Sequence, residues 1–357
     1  FAKFKDPHTI EVTKDGAVVE TIRAKNVVLA MGSSVIHLPI PGLDGGRENN
    51  VWTSDDAVTA PFVPKRMVVL GGGAVGCEFS YVFSSLGTEV TLLELQPTLL
   101  PLMDVDLGTE LGKILGKKGV KVKTGSSLAS AEKKGDAWHV TVTTGDKSEV
   151  IECDVVLVGV GRKANVEGVG LEEIGVKLHK RGVEVVDETL RTHVPHIYAI
   201  GDVKGQIQLA HVAQHEGLIA LGNIAHGTER KVDYKAIPNA VYTSPEVASV
   251  GLTEKEAKEK GFDVVVGRAR FMIFGKAQAT EERDGFVKVV AERKYGELLG
   301  VHMIGAHVTD LIHEAVVAIK HEATLESMID CIHAHPTMAE AVLEALEDAE
   351  GHAIHKM

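Results

Sequence analysis

The stretch from Arg66 to Glu94 constrains this chain more than any other. Arg66-Met-Val-Val-Leu70 is short and apolar, the composition of a buried strand. It runs into Gly71-Gly-Gly73-Ala-Val-Gly76. Apolar residues then recur through Cys77, Phe79, Val82 and Phe83, and Gly87 stops the helix. Glu89-Val-Thr-Leu-Leu-Glu94 gives a second strand that ends on an acid. A glycine-rich turn alone can be purely structural. Here the strand before it, the helix after it and the acid at the expected distance agree on a βαβ dinucleotide-binding unit. Gly71 permits the tight turn, Gly73 lets the backbone approach a pyrophosphate, and Gly76 lets helix and strand pack closely. The phosphates would sit on the helix N-terminus, where free N–H groups and the positive dipole end meet them. Glu94 would accept hydrogen bonds from a ribose diol and repel a 2′-phosphate. No cation follows it in Leu95-Gln96-Pro97, so NAD is favoured over NADP.

At 357 residues the chain has room for two or three domains with real cores. A net charge of −12 argues against nucleic acid and anionic membrane surfaces as partners, since both reward positive charge. No apolar run is long enough to span a bilayer. Cys77, Cys153 and Cys331 are scattered and form no CxxC, which suits a reducing compartment and offers no zinc framework. The 17 histidines, many beyond His302, are not at zinc-like spacings and read mostly as surface or interface residues. The chain opens on Phe1-Ala-Lys-Phe-Lys-Asp6 with no initiator Met, so it reads as a piece of something longer and no targeting peptide can be judged.

Residues 1–30 read as strands: Thr9–Val12, a turn at Lys14-Asp-Gly16, Ala17–Glu20 and Asn26–Ala30. Asp55 and Asp56 fall in a linker, and Pro61 and Pro64 precede the central unit. After Glu94 a helix is expected from about Asp104 to Lys118, then a strand at Lys121–Lys123. Residues 128–157 read as a meander whose last strand is Asp154–Val158. Two strands lie between Val183 and Ile200, the second ending on Gly201-Asp202, and a long helix follows near Leu209–Ala225. Ile237-Pro238 opens a third region of α+β character. There Thr253-Glu-Lys-Glu256 forms a capping box, strands follow at Asp263–Val266, Phe286–Val290 and Leu298–Ile304, and helices at Leu311–His321 and Ala341–Glu347.

Three further places can carry chemistry. Gly201-Asp202 at a strand end is either a nucleotide contact, with Asp202 accepting from a ligand hydroxyl, or a turn that caps the strand. His335 and Glu340 are either an imidazole–carboxylate acid–base pair or, because Thr337-Met-Ala-Glu340 fits a capping box after Pro336, a helix start. Glu78, directly after Gly76-Cys77, is an acid on the first turn of the glycine-loop helix, where it can simply favour the dipole.

Taken together, several stretches resemble the pyridine nucleotide–disulfide oxidoreductase family: Asn26-Val-Val-Leu-Ala-Met-Gly32, Gly71 to Gly76 with Glu78, Val158-Gly-Val-Gly161-Arg162, Thr192 to Asp202, Leu209-Ala-His-Val-Ala213, and His333-Ala-His335-Pro-Thr-Met-Ala-Glu340. They follow the family's order across nearly the whole chain. The resemblance implies an α/β fold with Rossmann-like FAD- and NAD(P)-binding domains plus a C-terminal α+β dimerisation domain. It implies domains at 1–65 (later part of an FAD domain), 66–165 (NAD), 166–236 (central) and 237–357 (dimer interface). By the same likeness Asp202 binds the FAD ribityl chain, and Ala210 and Ala213 open the helix beside the flavin pyrimidine edge. Glu78 lies by the flavin near the nicotinamide, Glu94 holds the NAD ribose, and Gly32 and Gly161 are further cofactor contacts. His335, oriented by Glu340, becomes the acid–base of dithiol–disulfide exchange, acting on the other subunit of a homodimer. The closest members oxidise dihydrolipoamide on the lipoyl domains and acyltransferase core of 2-oxo acid dehydrogenase complexes, in bacterial cytoplasm or the mitochondrial matrix.

The chain departs from the family's pattern too. Met31 stands for the usual Thr and Ala164 for the usual Pro. The family's first GxGxxG and its CxxxxC redox pair are not in this sequence, so these 357 residues alone are expected to be inactive. A glutathione-type reductase is disfavoured by Glu94, and a mercuric reductase by the His335–Glu340 pair and the lack of a terminal cysteine pair. A non-catalytic NAD-binding or dimerisation module is the reading from a different class.

Overall fold

The computed structural model describes residues 1–355, which fall into two compact units: 1–36 with 162–234, and 37–161 with 235–355. None of the described helices is long and apolar enough to cross a membrane.

The larger unit is built on the glycine-rich βαβ stretch. β1 (Arg66–Leu70) enters the glycine turn, α1 (Ala74–Ser85) leaves it, and β2 (Glu89–Leu93) lies parallel to β1 in the register Arg66↔Glu89 to Leu70↔Leu93. α2 (Val105–Lys117) follows, and Asp104 caps it by accepting from Asp106 N–H at 3.1 Å. β3 (Val155–Val158) inserts beside β1, giving a five-stranded parallel sheet in the order Val51–Trp52, β3, β1, β2, Lys121–Lys123. The sheet has two different covers. Met67, Val69, Leu92 and Leu157 face helix side chains such as Phe83, Leu107 and Leu111, while Val68, Leu70, Leu93 and Val156 face Trp138, Val140 and Val142 of an antiparallel meander. A strand buried on both faces reads as a continuous apolar run, as these do.

Two expectations need correction here. The meander consists of Ser126–Lys134, Ala137–Thr144 and Lys147–Cys153, and Val155–Val158 is not its last strand: that segment crosses to the parallel sheet, pairing Val155–Val158 with Met67–Leu70. Asp154 marks the departure, because its carboxylate takes Arg66 N–H (2.9 Å) and the Arg66 guanidinium (2.7 Å). Asp55 and Asp56 are not in a linker. They lie in a short helix, Ser54–Val58, whose capping box is closed by Thr53 and Asp56.

In the same unit a five-stranded antiparallel sheet runs Asn239–Val241, Glu246–Gly251, Leu298–Gly305, Phe286–Glu292, Val264–Arg270. Val287, Val289, Val301 and Met303 pack against the helix Val308–Lys320 and α3 (Glu340–Glu350) through Ile312, Ala315, Val342 and Ala345. The capping box at Thr253–Glu256 forms as expected.

The smaller unit joins three antiparallel strands (Ala2–Asp6, Thr9–Lys14, Ala17–Arg23) to a parallel pair, Val27–Leu29 with Ile197–Ala199. Ser33–Val35 pairs with Arg162–Ala164. The helix Ala210–His226 packs Ile219 and Ala220 on Leu190 and Tyr198.

Candidate active site

The glycines of the βαβ turn do three separate jobs. Gly71 has φ +101°, and a side chain there would meet Gly159 O at 2.5 Å. A Cβ on Gly76 would fall 1.7 Å from Gly71 O, so only glycine lets α1 close on the turn. Gly73 has open space where a Cβ would be. As N-cap of α1 it offers no side chain to the helix's opening N–H groups, and the first turn carries no acid: Glu78, expected on that turn, is the fifth residue of the helix and lies beyond it. That leaves a backbone cradle for an anion. Gly161 (φ +121°) lies just past the Gly159–Val160 segment that closes on Gly71.

Glu94 stands at the end of β2 and is 7 % exposed. Its Oε2 accepts from Gly72 N–H at 2.6 Å and its Oε1 from Gln96 N–H at 2.7 Å. The acid therefore ties down the glycine turn itself. A carboxylate has further lone pairs, so these bonds leave capacity for a ribose diol. Glu78, in α1, accepts from Tyr242 N–H at 2.9 Å. Burial lifts its carboxyl above the ordinary range, and the Tyr242 bond opposes that only in part. Cys77 is buried beside it, with Sγ 3.3 Å from Gly72 O; burial pushes its thiol up, as expected of a packed helix residue and not of a nucleophile.

In the smaller unit, Asp202 lies in the turn Gly201–Lys204 and accepts from Ser33 Oγ at 2.5 Å. Arg162 binds the same serine twice, Nε to Oγ and NH2 to the carbonyl, both at 2.8 Å. Gly32 (φ +67°) has open space at its Cβ position, and its carbonyl accepts from Asn165 N–H. Ala210 opens its helix with no side-chain cap and no acid in the first turn, a second uncapped N-terminus, and Ala213 closes the first turn onto Leu209 O. A cavity of about 690 Å³ in this unit is lined chiefly by apolar residues such as Phe4, Ile10, Val27, Leu29 and Met31.

His335 and Glu340 meet: Nδ1 and Oε1 are 2.8 Å apart, with the imidazole side chain 75 % exposed and the carboxylate 21 %. The capping box forms by half. Glu340 Oε2 accepts from Thr337 N–H at 2.9 Å, but the Thr337 hydroxyl turns away to Ala334 O, and α3 starts at Glu340 without a side-chain cap. Burial works against ionisation of Glu340, yet the bonds from His335 and Thr337 hold its carboxyl below the usual range. The neighbouring His333 has both ring nitrogens engaged, by Glu314 (2.8 Å) and Cys331 O (3.0 Å), and is 6 % exposed. Of the two histidines, only His335 keeps a ring nitrogen, Nε2, without a partner among the described residues.

Sequence reasoning missed the partners that hold these groups. Arg162–Ser33–Asp202 joins positions 129 and 169 residues apart in sequence. Glu216 lies at helical spacing from Val212 and Ala220, and an acid on that apolar stripe was the available signal.

Residues 2–217 match the family described as pyridine nucleotide-disulphide oxidoreductase, and residues 237–346 match its dimerisation domain. The chain belongs to the pyridine nucleotide-disulphide oxidoreductase family. It is similar to the mitochondrial dihydrolipoyl dehydrogenase of Schizosaccharomyces pombe, 41% identical over 99% of this chain and 69% of that one. It is similar also to the dihydrolipoyl dehydrogenase of Bacillus subtilis, 40% identical over 98% and 73%. Among solved structures, LpdA of Mycobacterium tuberculosis superposes with a TM-score of 0.86 at 27% identity, covering 97% of this chain and 75% of that one. The flavoprotein disulfide reductase RclA of Escherichia coli gives 0.86 at 25%, covering 97% and 78%.

Proposed function

We propose that this chain serves dihydrolipoyl dehydrogenase chemistry, supplying its acid–base pair and cofactor contacts: dihydrolipoamide plus NAD gives lipoamide plus NADH and a proton. The exposed His335 with Nδ1 held by Glu340 is the observation that carries this reading. With Nδ1–H given to the carboxylate, Nε2 is the atom that takes the proton from an attacking substrate thiol and returns it to the departing one. Glu340 fixes the tautomer and stabilises the imidazolium that forms.

FAD, when bound, supplies the two-electron link between the dithiol and the nicotinamide. The residues fit such groups. The open cradle at Gly73 and the uncapped α1 would hold the NAD pyrophosphate, with Gly161 beside it, and Glu94 would hold the adenosine ribose. We assign Glu78 to the nicotinamide end. Asp202, with Gly32 next to its Ser33 partner, would bind the flavin ribityl chain, and Ala210 to Ala213 the pyrimidine edge. The dithiol that meets substrate is not among this chain's cysteines. Cys77 and Cys153 are buried, with the Cys153 thiol pushed up to about 12 by burial, and no disulfide joins any of the three. These residues alone should therefore not turn over dihydrolipoamide. The working form is a homodimer that serves the lipoyl domains and acyltransferase core of 2-oxo acid dehydrogenase complexes in a reducing compartment, either bacterial cytoplasm or mitochondrial matrix.

A second reading, an NAD-binding and dimerising module without redox chemistry, is favoured by those same buried cysteines. One experiment separates the two. The 357-residue chain should bind NADH in preference to NADPH. A chimera carrying the N-terminal region of the Bacillus subtilis relative ahead of Phe1 should be yellow and reduce lipoamide with NADH. A yellow chimera without lipoamide turnover would contradict the substrate assignment, and a colourless one that binds NADH would favour the module.

A further inference from the structure

The smaller unit hides an ion pair in its interior. Glu216 of the Ala210–His226 helix is 0 % exposed and Lys204 1 %. Glu216 Oε1 accepts from Lys204 Nζ at 2.5 Å and from the Tyr234 hydroxyl at 2.7 Å, and Lys204 also reaches that hydroxyl at 2.9 Å. The other carboxylate oxygen accepts from a backbone donor, Gly201 N–H, at 2.6 Å. Burying two charges is a weak way to gain stability, since apolar residues of similar size commonly do as well. What the cluster adds is geometry.

Gly201 begins the turn that carries Asp202. It has φ +67°, and a Cβ there would stand 2.9 Å from Ala213 Cβ, so the turn presses directly on the first turn of the helix. Glu216 lies one helical turn beyond Ala213 and pulls on the turn at Gly201 N–H, while Lys204 grips the same carboxylate from the turn's far end. The ion pair thus clamps both ends of the Gly201–Lys204 turn onto the helix that begins at Ala210. Ser33 fixes the Asp202 carboxylate from the other side.

We propose that Glu216, with Lys204 and Tyr234 as its partners, is a positioning residue that sets the placement of Asp202 relative to the N-terminus of the Ala210–His226 helix. Those are the two groups assigned to the flavin, so the inference rests on that assignment. Glu216 touches no cofactor itself. It fixes the spacing between an acceptor for ribityl hydroxyls and an uncapped helix end.

The test uses double variants that remove both charges, so that neither ion is left buried alone. In the chain itself, Lys204→Met/Glu216→Leu keeps an apolar interior but no acceptor for Gly201 N–H. Lys204→Met/Glu216→Gln restores that acceptor without the charge. Amide hydrogen exchange over residues 201–205 is expected to quicken at least tenfold in the leucine variant and to return towards wild type in the glutamine variant, with thermal midpoints close in both. In the flavin-loaded chimera, the dissociation constant for FAD should rise at least tenfold in the leucine variant and recover in the glutamine variant. Asp202→Ala is the companion arm. If Asp202→Ala weakens FAD but the leucine variant leaves both exchange and FAD affinity unchanged, the positioning role is wrong. If Asp202→Ala leaves FAD affinity unchanged, the flavin assignment of the turn fails, and the positioning role fails with it. Should the leucine variant not fold, Lys204→Met/Glu216→Met, which also lacks an acceptor for Gly201 N–H, takes its place: quickened exchange and weakened FAD binding in it would support the clamp, and wild-type values of both would overturn it.

Discussion

Glu94 holds the glycine turn and is proposed to hold a nucleotide as well. Its carboxylate accepts from Gly72 and Gln96 N–H, and it is the group expected to meet the NAD ribose. Glu94→Ala should cost about 2 kcal/mol of NADH binding, the weight of a charge-assisted hydrogen bond, and should erase the preference for NADH over NADPH. Fluorescence titration with both nucleotides reads this, and a retained preference would move the selectivity elsewhere. Glu78 gives a prediction with a sign. Its folded pKa is raised by burial, so the native state binds a proton more tightly than the unfolded one. Stability then falls as pH rises from the ordinary glutamate value through the raised one. Glu78→Gln should raise the thermal midpoint at pH 7 and leave it unchanged at pH 4, below both values; equal midpoints at pH 7 would show that the ionised form carries no penalty. The backbone roles of Gly71 and Gly76 were legible because a glycine's freedom is a local property, fixed by its own φ or its nearest backbone. The second half of Glu94's role was not, since a contact with Gly72 crosses a helix and a strand.

At the scale of elements, close approach and buried charge set the limits. Gly76→Ala would drive a methyl to within 1.7 Å of Gly71 O. Such overpacking should destabilise the larger unit by about 3 kcal/mol, read as a lower denaturant midpoint, with NADH binding lost alongside. α2 is anchored to the antiparallel sheet by Lys288, 1 % exposed, whose Nζ lies 2.9 and 3.0 Å from Asp104, 2.7 Å from Asp106 and 2.9 Å from Glu254. Burial opposes ionisation of Asp106, yet Lys288 and Arg268 hold its carboxyl below the usual range, and hydrogen bonds from Lys258 and Lys288 do the same for Glu254. These depressed values add stability that is present above the ordinary carboxylate range and is lost as pH falls through the folded values. Lys288→Met should cost about 4 kcal/mol, because it leaves the buried Asp104 carboxylate unpaired. It should also flatten the acid limb of the stability profile, and an unchanged limb would place the acid sensitivity elsewhere. The longer helices and strands were legible from periodicity to within a few residues, whereas short helices such as Ser54–Val58 were not. The destination of Val155–Val158 was not: its apolar run suits a meander edge or a sheet centre equally, and only pairing across 88 residues with Arg66–Leu70 decides.

For the whole molecule, residues 237–346 match a dimerisation domain, and large apolar side chains stand exposed on its surface. Ile332 is fully exposed and Val317 is 59 % exposed, on segments that the His333–Glu314 bond holds together. Large exposed apolar residues near a candidate catalytic group suit burial against a second copy. Ile332→Asp should shift the protein from dimer to monomer in light scattering, with the thermal midpoint little changed; an unaltered dimer would put the interface elsewhere. The central claim is that His335 moves the proton of dithiol exchange. The most direct measurement is the NADH–lipoamide rate of the flavin-loaded chimera with His335→Gln, set against its NADH–ferricyanide rate, which needs no thiol proton transfer. The account predicts that lipoamide turnover falls by roughly 10²- to 10⁴-fold, the range of a lost general acid–base, while the ferricyanide rate and the flavin spectrum hold. Lipoamide turnover that survives the substitution would contradict it.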